Sequence, residues 1–164
     1  MCTHPSPLFL VITFGPFTKW GIDFTTCNPP LTGNHKYIII FVNYFIKWDE
    51  AMLTLKNDGE TESLFLFNQV ISRFGIPKEI FTDHGSHFQN QTMYELALKV
   101  GFRQEHSSPY YPEANGKVEA VNKSLKTMLQ RTIDKNHSNW HIMLYPTLWA
   151  YRTSVKTTTD FTPF

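Results

Sequence analysis

The chain lacks the features that mark secreted, membrane-spanning and zinc-binding proteins. Its two cysteines, Cys2 and Cys27, belong to no C-x-x-C pair and to no Cys/His set with zinc spacing. The apolar runs at 8–14 and 37–45 are far shorter than the ~20 residues that cross a bilayer. We therefore expect a reduced, intracellular protein with no signal peptide and no membrane segment.

An excess of charge of one sign is also missing. Lysine and arginine number 15 against 14 acidic residues, so the net charge of +1 excludes the global basic field of many nucleic-acid binders. Any contact with nucleic acid must come from a local patch. The 164 residues are 41% hydrophobic, which is sufficient for one domain with a real core.

The first third of the chain predicts three consecutive strands. Residues Lys19–Thr26 mix aromatic and β-branched side chains. Residues 36–42, KYIIIFV, form a near-continuous apolar run of the kind found in strands buried on both faces. A strand at 47–55 follows a turn around Asn43, so a meander is expected.

Residues 58–74 predict an amphipathic helix that stops at the sequence Gly-Ile-Pro. Three- and four-residue spacings define its apolar face. The side chains expected to be buried on that face are Leu64, Phe67, Val70, Ile71 and Phe74.

The rest of the chain alternates strands with helices. Strands are predicted at 78–82 and 102–106, and helices at 90–100, 117–134 and 140–151. Together with the meander, this order predicts an α/β fold, a sheet with helices packed on both faces. The simplest interpretation of the four tryptophans is that they belong to the core: Trp20, Trp48, Trp140 and Trp149.

Three carboxylates are the candidate catalytic residues. Asp23 lies inside the first strand, Asp83 directly follows the strand at 78–82, and Glu119 falls in the first turn of the long helix. Each alone has an ordinary explanation. A strand aspartate often forms a salt bridge, Asp-x-Gly is a common turn, and a glutamate in the first turn stabilises the helix dipole.

Taken together, the three carboxylates indicate a metal site. If the strands that carry Asp23 and Asp83 are parallel neighbours, their carboxylates converge, and Glu119 completes the cluster from a helix. Close carboxylates repel one another unless cations neutralise them, and oxygen ligands favour Mg²⁺ or Mn²⁺. Two such ions support in-line displacement at phosphorus, the chemistry of phosphodiester cleavage and transfer.

Residues around Glu119 are candidate DNA contacts. Lys123 and Lys126 lie four and seven residues after Glu119, so the three share a helix face. In an isolated helix this would be a solvated charged face, but beside a metal cluster lysines bind phosphates. The remaining candidates are Lys117, Asn115 and two tyrosines, Tyr110 and Tyr111, which either stack on unpaired bases or pin the loop.

The sequence resembles the integrase core of gypsy-like long-terminal-repeat retrotransposons, especially those of plants, and more distantly the retroviral integrases. Five segments in order carry the resemblance, which spans nearly the whole chain: PFTKWGIDF at 16–24, YFIKWDEA at 44–51, RFGIPKEIFTDHGSHFQN at 73–90, SPYYPEANGKVEAVNKSLK at 108–126 and WAYRTS at 149–154.

The resemblance implies a ribonuclease H-like fold with a five-stranded mixed sheet and an Asp, Asp, Glu triad. The triad falls on Asp23, Asp83 and Glu119, with the family's spacing of 35 residues between the last two. It implies two Mg²⁺ or Mn²⁺ ions, with Asp23 bridging both. The implied activity is DNA 3′-end processing and strand transfer by a homo-oligomer on element and target DNA, in the nucleus at the time of action.

The chain also departs from the family pattern. Glu113 stands where the family commonly has Gln, and a carboxylate cannot donate a hydrogen bond to DNA. Asn43 replaces a common Asp, and either residue suits a turn. Residues 1–15 are expected to be irregular and 16–164 to form the core, without the family's zinc module or C-terminal DNA-binding region.

These departures leave two other functions open. One is a catalytically silent, degenerate integrase-like domain that binds nucleic acid or self-associates. The other is a nuclease of the ribonuclease H type acting on RNA:DNA hybrids, which would share the fold and the metals.

Overall fold

The computed structural model describes residues 15–26, 35–82, 90–106, 127–128, 140–157 and 159–164, and the structure reported below is that of these residues. Three consecutive strands come first, and helices then alternate with two further strands along the chain. The strands are β1 (Lys19–Thr26), β2 (Tyr37–Asn43), β3 (Asp49–Thr54), β4 (Glu79–Thr82) and β5 (Arg103–His106). The helices are α1 (Gly59–Phe65), a π-helical segment (Leu66–Ile71), α2 (Ser72–Phe74), α3 (Gln91–Val100) and α4 (Trp140–Arg152).

The strands form one mixed sheet in the order β3-β2-β1-β4-β5. The predicted meander is confirmed, because β1 pairs antiparallel with β2 and β2 pairs antiparallel with β3. Beyond β1 the sheet becomes parallel: β4 pairs with β1, and β5 pairs with β4. The strands that carry Asp23 and precede Asp83 are therefore parallel neighbours, as the convergence of their carboxylates requires.

Helices cover both faces of the sheet, which confirms the predicted fold class. On one face, side chains of β1 and β2 pack on α1, the π-helical segment and α3: Trp20, Ile22, Ile39, Phe41, Phe65, Leu66, Val70, Met93 and Ala97. On the other face, β2 and β3 pack on α4: Ile38, Ile40, Val42, Ala51, Leu144, Leu148 and Tyr151. The apolar run of β2 is thus buried on both sides.

Polar side chains define the helix ends that the sequence predicts. Asp58 precedes α1 and accepts a hydrogen bond from the Thr61 amide at 3.0 Å. Asn90 precedes α3 and accepts from the Met93 amide at 2.8 Å. Gly101 ends α3 with a φ of 91°, a left-handed conformation that glycine adopts without strain.

The predicted buried face of the helix at 58–74 is partly wrong. Leu64 and Phe67 are 56% and 50% exposed, whereas Phe65 and Leu66 are buried. The cause is the π-helical segment, whose wider turns shift the side-chain positions away from the 3.6-residue period on which the prediction depends. Val70 is buried as predicted, and Ile71 and Phe74 pack against the core.

The tryptophans do not share one environment. Trp20 is fully buried, and Trp48 is partly buried against the same core, in agreement with the prediction. For Trp149 the prediction is wrong, because it is 56% exposed on α4. The side chain of Trp140 lies outside the described residues.

Within the described ranges, no helix is both long and apolar enough to span a bilayer.

Candidate active-site edge of the sheet

Asp23 lies in the interior of β1, where it pairs with β2 and directly follows Ile22, the last residue of β1 that pairs with β4. It is paired with Ile40 of β2, and paired residues of antiparallel strands point to the same face. Ile40 belongs to the cluster beneath α4, so Asp23 lies on that face of the sheet. The side chain is half-buried. A carboxylate in this position has a rigid backbone and partial access to solvent, which suits a metal ligand.

The register of β1 and β4 places Asp23 next to the end of β4. Ile22 pairs with Thr82, the last residue of β4, so the residue before Asp23 lies beside the residue before Asp83. Asp83 itself is outside the described residues. The described part of β4 therefore supplies the strand geometry that the predicted Asp23–Asp83 pair needs, and the pair itself stays a prediction.

The third acid and the predicted DNA contacts are also outside the described residues. This applies to Glu119, Lys117, Lys123, Lys126, Asn115, Tyr110, Tyr111 and Glu113. Of the predicted helix at 117–134, the described residues Thr127 and Met128 are helical. Met128 packs against the cluster that contains Ile40, on the same face of the sheet as Asp23.

Among the described residues, no group of three or more His, Cys, Asp or Glu side chains is arranged to hold a metal ion. Of the predicted ligands, that part of the chain contains Asp23 and neither Asp83 nor Glu119. The donor chemistry of Asp23 fits a hard divalent cation, because a carboxylate oxygen is a preferred ligand of Mg²⁺ and Mn²⁺.

A buried cluster of charges joins the end of α4 to the start of β3. Asp49 is fully buried, and Arg152 donates hydrogen bonds to its backbone carbonyl and, at 3.4 Å, to its Oδ1. Glu50 accepts from Arg152 at 3.0 Å and from Arg73 at 2.6 Å. The Arg152 guanidinium also stacks over the Trp48 ring, 4.3 Å from its centroid. Arg152 thereby fixes the end of α4 against the sheet.

The environment of Asp49 favours its neutral form. Burial raises the pKa of Asp49 to about 7, and the neighbouring Arg152 opposes this shift. Its Oδ2 is buried and accepts no hydrogen bond from the described residues. Sequence patterns alone do not indicate this cluster, although most of its residues lie in the segments YFIKWDEA and WAYRTS. Nothing local in those segments signals that they pair.

Asn90, which follows the segment that contains Asp83, contacts α1. Asn90, the cap of α3, donates from Nδ2 to Oε2 of Glu62 at 3.2 Å, and Glu62 is fully buried. Gly59 lies against the same asparagine, since a Cβ at position 59 would be 2.1 Å from the Asn90 side chain. The close approach of α1 and α3 therefore requires glycine here.

Asn43 closes the turn between β2 and β3. It is fully buried, its Oδ1 accepts from the amides of Phe45 and Ile46, and its Nδ2 donates to the Lys19 carbonyl. The expectation that asparagine suits this turn is confirmed. The amide also links the turn to the start of β1, which a carboxylate could not do by donation.

A protein-family comparison identifies the core. The model described as "Integrase core domain" matches residues 15–112, more than half of the chain. The Pol polyprotein of Radiation murine leukemia virus (strain Kaplan) is 32% identical over 138 residues, which are 84% of this chain and 24% of that protein. The Gag-Pol polyprotein of Feline leukemia virus is 29% identical over 138 residues, which are 84% of this chain and 8% of that protein.

The chain thus spans about a quarter or less of the length of these curated relatives. They are retroviral, which supports the retroviral integrase superfamily and leaves the narrower plant gypsy-like assignment a prediction.

Solved structures share the fold. One is a chain of the simian T-cell lymphotropic virus intasome, which was solved by cryo-electron microscopy in complex with the PP2A regulatory subunit B56 gamma. It aligns with a TM-score of 0.83 at 22% identity, and the alignment covers 98% of this chain and 58% of that chain. The HTLV-2 integrase catalytic core domain, solved with magnesium in a trimeric form, aligns with a TM-score of 0.72 at 21% identity, covering 92% and 95%. The mixed five-stranded sheet is accordingly the ribonuclease H-like sheet of integrase cores, and the chain belongs to the integrase core domain family.

Proposed function

We propose that this chain is the catalytic core of a retroelement integrase that carries out DNA 3′-end processing and strand transfer. The observation that carries the proposal is the position of Asp23 in an integrase core domain: it follows Ile22, whose partner in β4 immediately precedes Asp83. In this proposal Asp23, Asp83 and Glu119 are the residues that would hold the divalent metal ions.

The residues of the chain contribute position and charge to the reaction. β1 holds the backbone of Asp23 in the sheet, and Ile22 pairs with Thr82, the residue that precedes Asp83, which supports assigning both carboxylates to one site. When bound, two Mg²⁺ or Mn²⁺ ions supply activation of the attacking oxygen and stabilisation of the leaving oxygen. The HTLV-2 core, which shares the fold, was solved with magnesium, and this supports the choice of metal.

The DNA in this proposal contacts residues that follow β5. Lys117, Lys123 and Lys126 bind phosphates beside Glu119, and Asn115 contacts the same DNA. Tyr110 and Tyr111 stack on bases at the DNA end. The substrates are element ends and target DNA, which places the protein in the nucleus when it acts.

We also propose domain bounds, a lineage and an oligomeric state for the chain. We assign residues 16–164 to the catalytic core and 1–15 to an irregular segment, and we place the chain among gypsy-like elements. We also propose that it acts as a homo-oligomer. Apolar side chains exposed along one side of α4 support self-association, because such patches are uncommon on monomers: Ile142, Tyr145 and Trp149.

A Mn²⁺-supported disintegration assay on a branched oligonucleotide tests the activity, because this reaction demands least of any flanking domains. We expect the chain to join the strands, and Asp23→Asn or Asp83→Asn to abolish the product. Asp160→Asn is the matched control, since it makes the same chemical change on an exposed turn residue and should leave activity intact. Equal activity in all variants, or with the metal chelated, would contradict the proposal.

Calorimetric Mn²⁺ titration of the same variants shows whether the metal site is lost, and thermal melting shows whether each variant is still folded. The catalytically silent alternative predicts salt-sensitive DNA binding without strand joining, and the sequence feature that favours it is Glu113. The ribonuclease H alternative predicts cleavage of an RNA:DNA hybrid in preference to the branched DNA.

A further inference from the structure

A second cluster of cations lies at the end of the sheet away from the candidate metal site. It consists of Lys19, Lys78, Lys99 and Arg103, which we call the basic pole. Lys19 begins β1, Lys78 precedes β4, and Arg103 begins β5. These three strands are parallel, so their amino ends meet at one edge of the sheet. Lys99 lies in the last turn of α3, four residues before Arg103.

Backbone hydrogen bonds fix the spacing of these residues. The amide of Lys78 donates to the carbonyl of Thr18 at 2.9 Å, and the amide of Arg103 donates to the carbonyl of Lys78 at 2.9 Å. Lys19, Glu79 and Arg103 are direct register partners across β1, β4 and β5. The basic pole is therefore built on regular sheet and helix, with no long flexible loop between its members.

Glu79 is the acid that contacts this cluster among the described residues, and it is already engaged on both sides. Its Oε2 lies 2.7 Å from the Lys19 Nζ, and its Oε1 accepts from Arg103. Glu79 is 14% exposed, while the Arg103 side chain is 71% exposed. Lys78 and Lys99 are exposed as well. The largely buried acid thus pairs with Lys19 and Arg103, while Lys78, Lys99 and Arg103 remain exposed to solvent.

The basic pole and Asp23 lie on one strand. Lys19 and Asp23 are four residues apart in β1, which corresponds to roughly 13 Å, and the alternation of side chains puts them on the same face. This span equals about four base pairs of duplex DNA at ~3.4 Å each. The separation shows that the basic pole is a distinct surface and not part of the acidic cluster.

A more ordinary explanation of these charges is protection of an edge strand. β5 is at the edge of the sheet, and lysine or arginine on such a strand discourages pairing with another chain. That explanation accounts for Arg103. It does not account for the exposed Lys78 and Lys99, which lie outside β5, before β4 and in the last turn of α3.

We propose that the basic pole binds the phosphate backbone of duplex DNA, independently of the metal site. Three exposed cations on a rigid edge match a polyanion with regularly spaced charges, and the contacts carry no base specificity. This surface lies outside the residues on which metal binding and strand joining depend, so it adds a DNA contact on the opposite end of the sheet.

The test is the binding of a short fluorescein-labelled DNA duplex of arbitrary sequence, measured by fluorescence anisotropy in EDTA over a series of salt concentrations. EDTA removes any contribution from metal. The variant is Lys78→Gln with Lys99→Gln, which leaves the Glu79 ion pairs intact. The matched control is Lys36→Gln with Lys56→Gln, which removes the same charge from exposed positions beside β2 and β3.

We expect the Lys78/Lys99 variant to bind roughly tenfold more weakly, with the slope of log K against log salt reduced by about 1.8, or about 0.9 per lost phosphate contact. The control should keep the slope of the unmodified chain. Equal losses in both variants would mean that net charge alone is responsible and would overturn the proposal.

Two further outcomes would also overturn it. Unchanged DNA affinity with self-association of the Lys78/Lys99 variant on size exclusion would favour edge protection. An acidic peptide and unlabelled DNA can also be compared as competitors at equal concentrations of negative charge. If the peptide displaces the labelled duplex more effectively, a protein partner would be favoured. Thermal melting of each variant confirms that it is folded, since none of the four lysines is buried.

Discussion

Arg152, at the end of α4, donates hydrogen bonds to the carbonyl of Asp49, at the start of β3, across 103 positions of sequence. The same guanidinium contacts the carboxylates of Asp49 and Glu50 and the ring of Trp48. These contacts fix the end of α4 against β3. The docking of α4 on the sheet therefore depends on an ion cluster that has no part in the proposed chemistry.

Replacing Asp49 with Asn should remove a pH dependence of stability. The pKa of Asp49 in the folded chain is about 7, above its ordinary value of 3.8. Between these values the folded state keeps a proton that the unfolded state loses, so the free energy of unfolding falls as pH rises, by about 4 kcal/mol at most. Above about pH 7 the loss is complete.

Urea unfolding of Asp49→Asn at pH values from about 4 to 8 measures this effect. The free energy of unfolding of this variant should not decline with pH. At the upper end of the pH range the variant should be more stable than the unmodified chain. Asp58→Asn is the control, because the pKa of the exposed Asp58 is lowered and its contribution to stability changes below this range. A decline of the same size in Asp49→Asn would show that other groups cause it.

Arg152→Leu should destabilise the fold more than Arg73→Leu. Both arginines pair with Glu50, but Arg152 is 16% exposed and also binds the buried Asp49, whereas Arg73 is 42% exposed. At about pH 8, above the pKa of Asp49, removing Arg152 leaves the buried Asp49 carboxylate uncompensated, and such a loss costs about 3–5 kcal/mol. A half-exposed pair costs about 1 kcal/mol or less. Equilibrium denaturation of the two variants gives the comparison, and equal losses would contradict the assigned role of Arg152.

Gly59→Ala should weaken the packing of α1 on α3. The new Cβ would lie 2.1 Å from the Asn90 side chain, which must then move away from the Met93 amide that it caps. We expect a loss of about 1–3 kcal/mol, from overpacking and the lost cap. A double-mutant cycle with Asn90→Ala tests the contact. The losses of stability in the two single variants should sum to more than the loss in the double variant, because alanine at position 90 removes the clash with the new Cβ. Simple additivity would show that Gly59 and Asn90 do not interact.

Asp160→Gly should stabilise the turn after α4, and Asp160→Ala should destabilise it. Asp160 has a φ of 57°, and its amide donates to the Lys156 carbonyl at 2.8 Å. A left-handed conformation costs a residue with a Cβ about 1–2 kcal/mol, and aspartate tolerates it better than alanine. Thermal unfolding of the two variants should show melting temperatures on opposite sides of that of the unmodified chain.

The amino-acid sequence by itself determined the elements and their order. The strand at Lys19–Thr26 was predicted to the residue, and the apolar run of β2, the caps at Asp58 and Asn90 and the stop at Gly101 each follow from a local rule. Local patterns suffice here because a strand or a helix end depends on neighbours within a few positions. The segments that resemble integrases also led to the family that the comparison shows.

Only the tertiary structure decided which side chains are buried and which meet. The exposure of Leu64, Phe67 and Trp149 contradicts the simplest interpretation of their hydrophobicity, because a π-helical segment and the docking of α4 determine which side of each helix faces the core. The pairing of Ile22 with Thr82 and the burial of Asp49 under Arg152 depend on contacts between distant segments. Such contacts form only when the whole sheet assembles, so no short stretch of sequence specifies them.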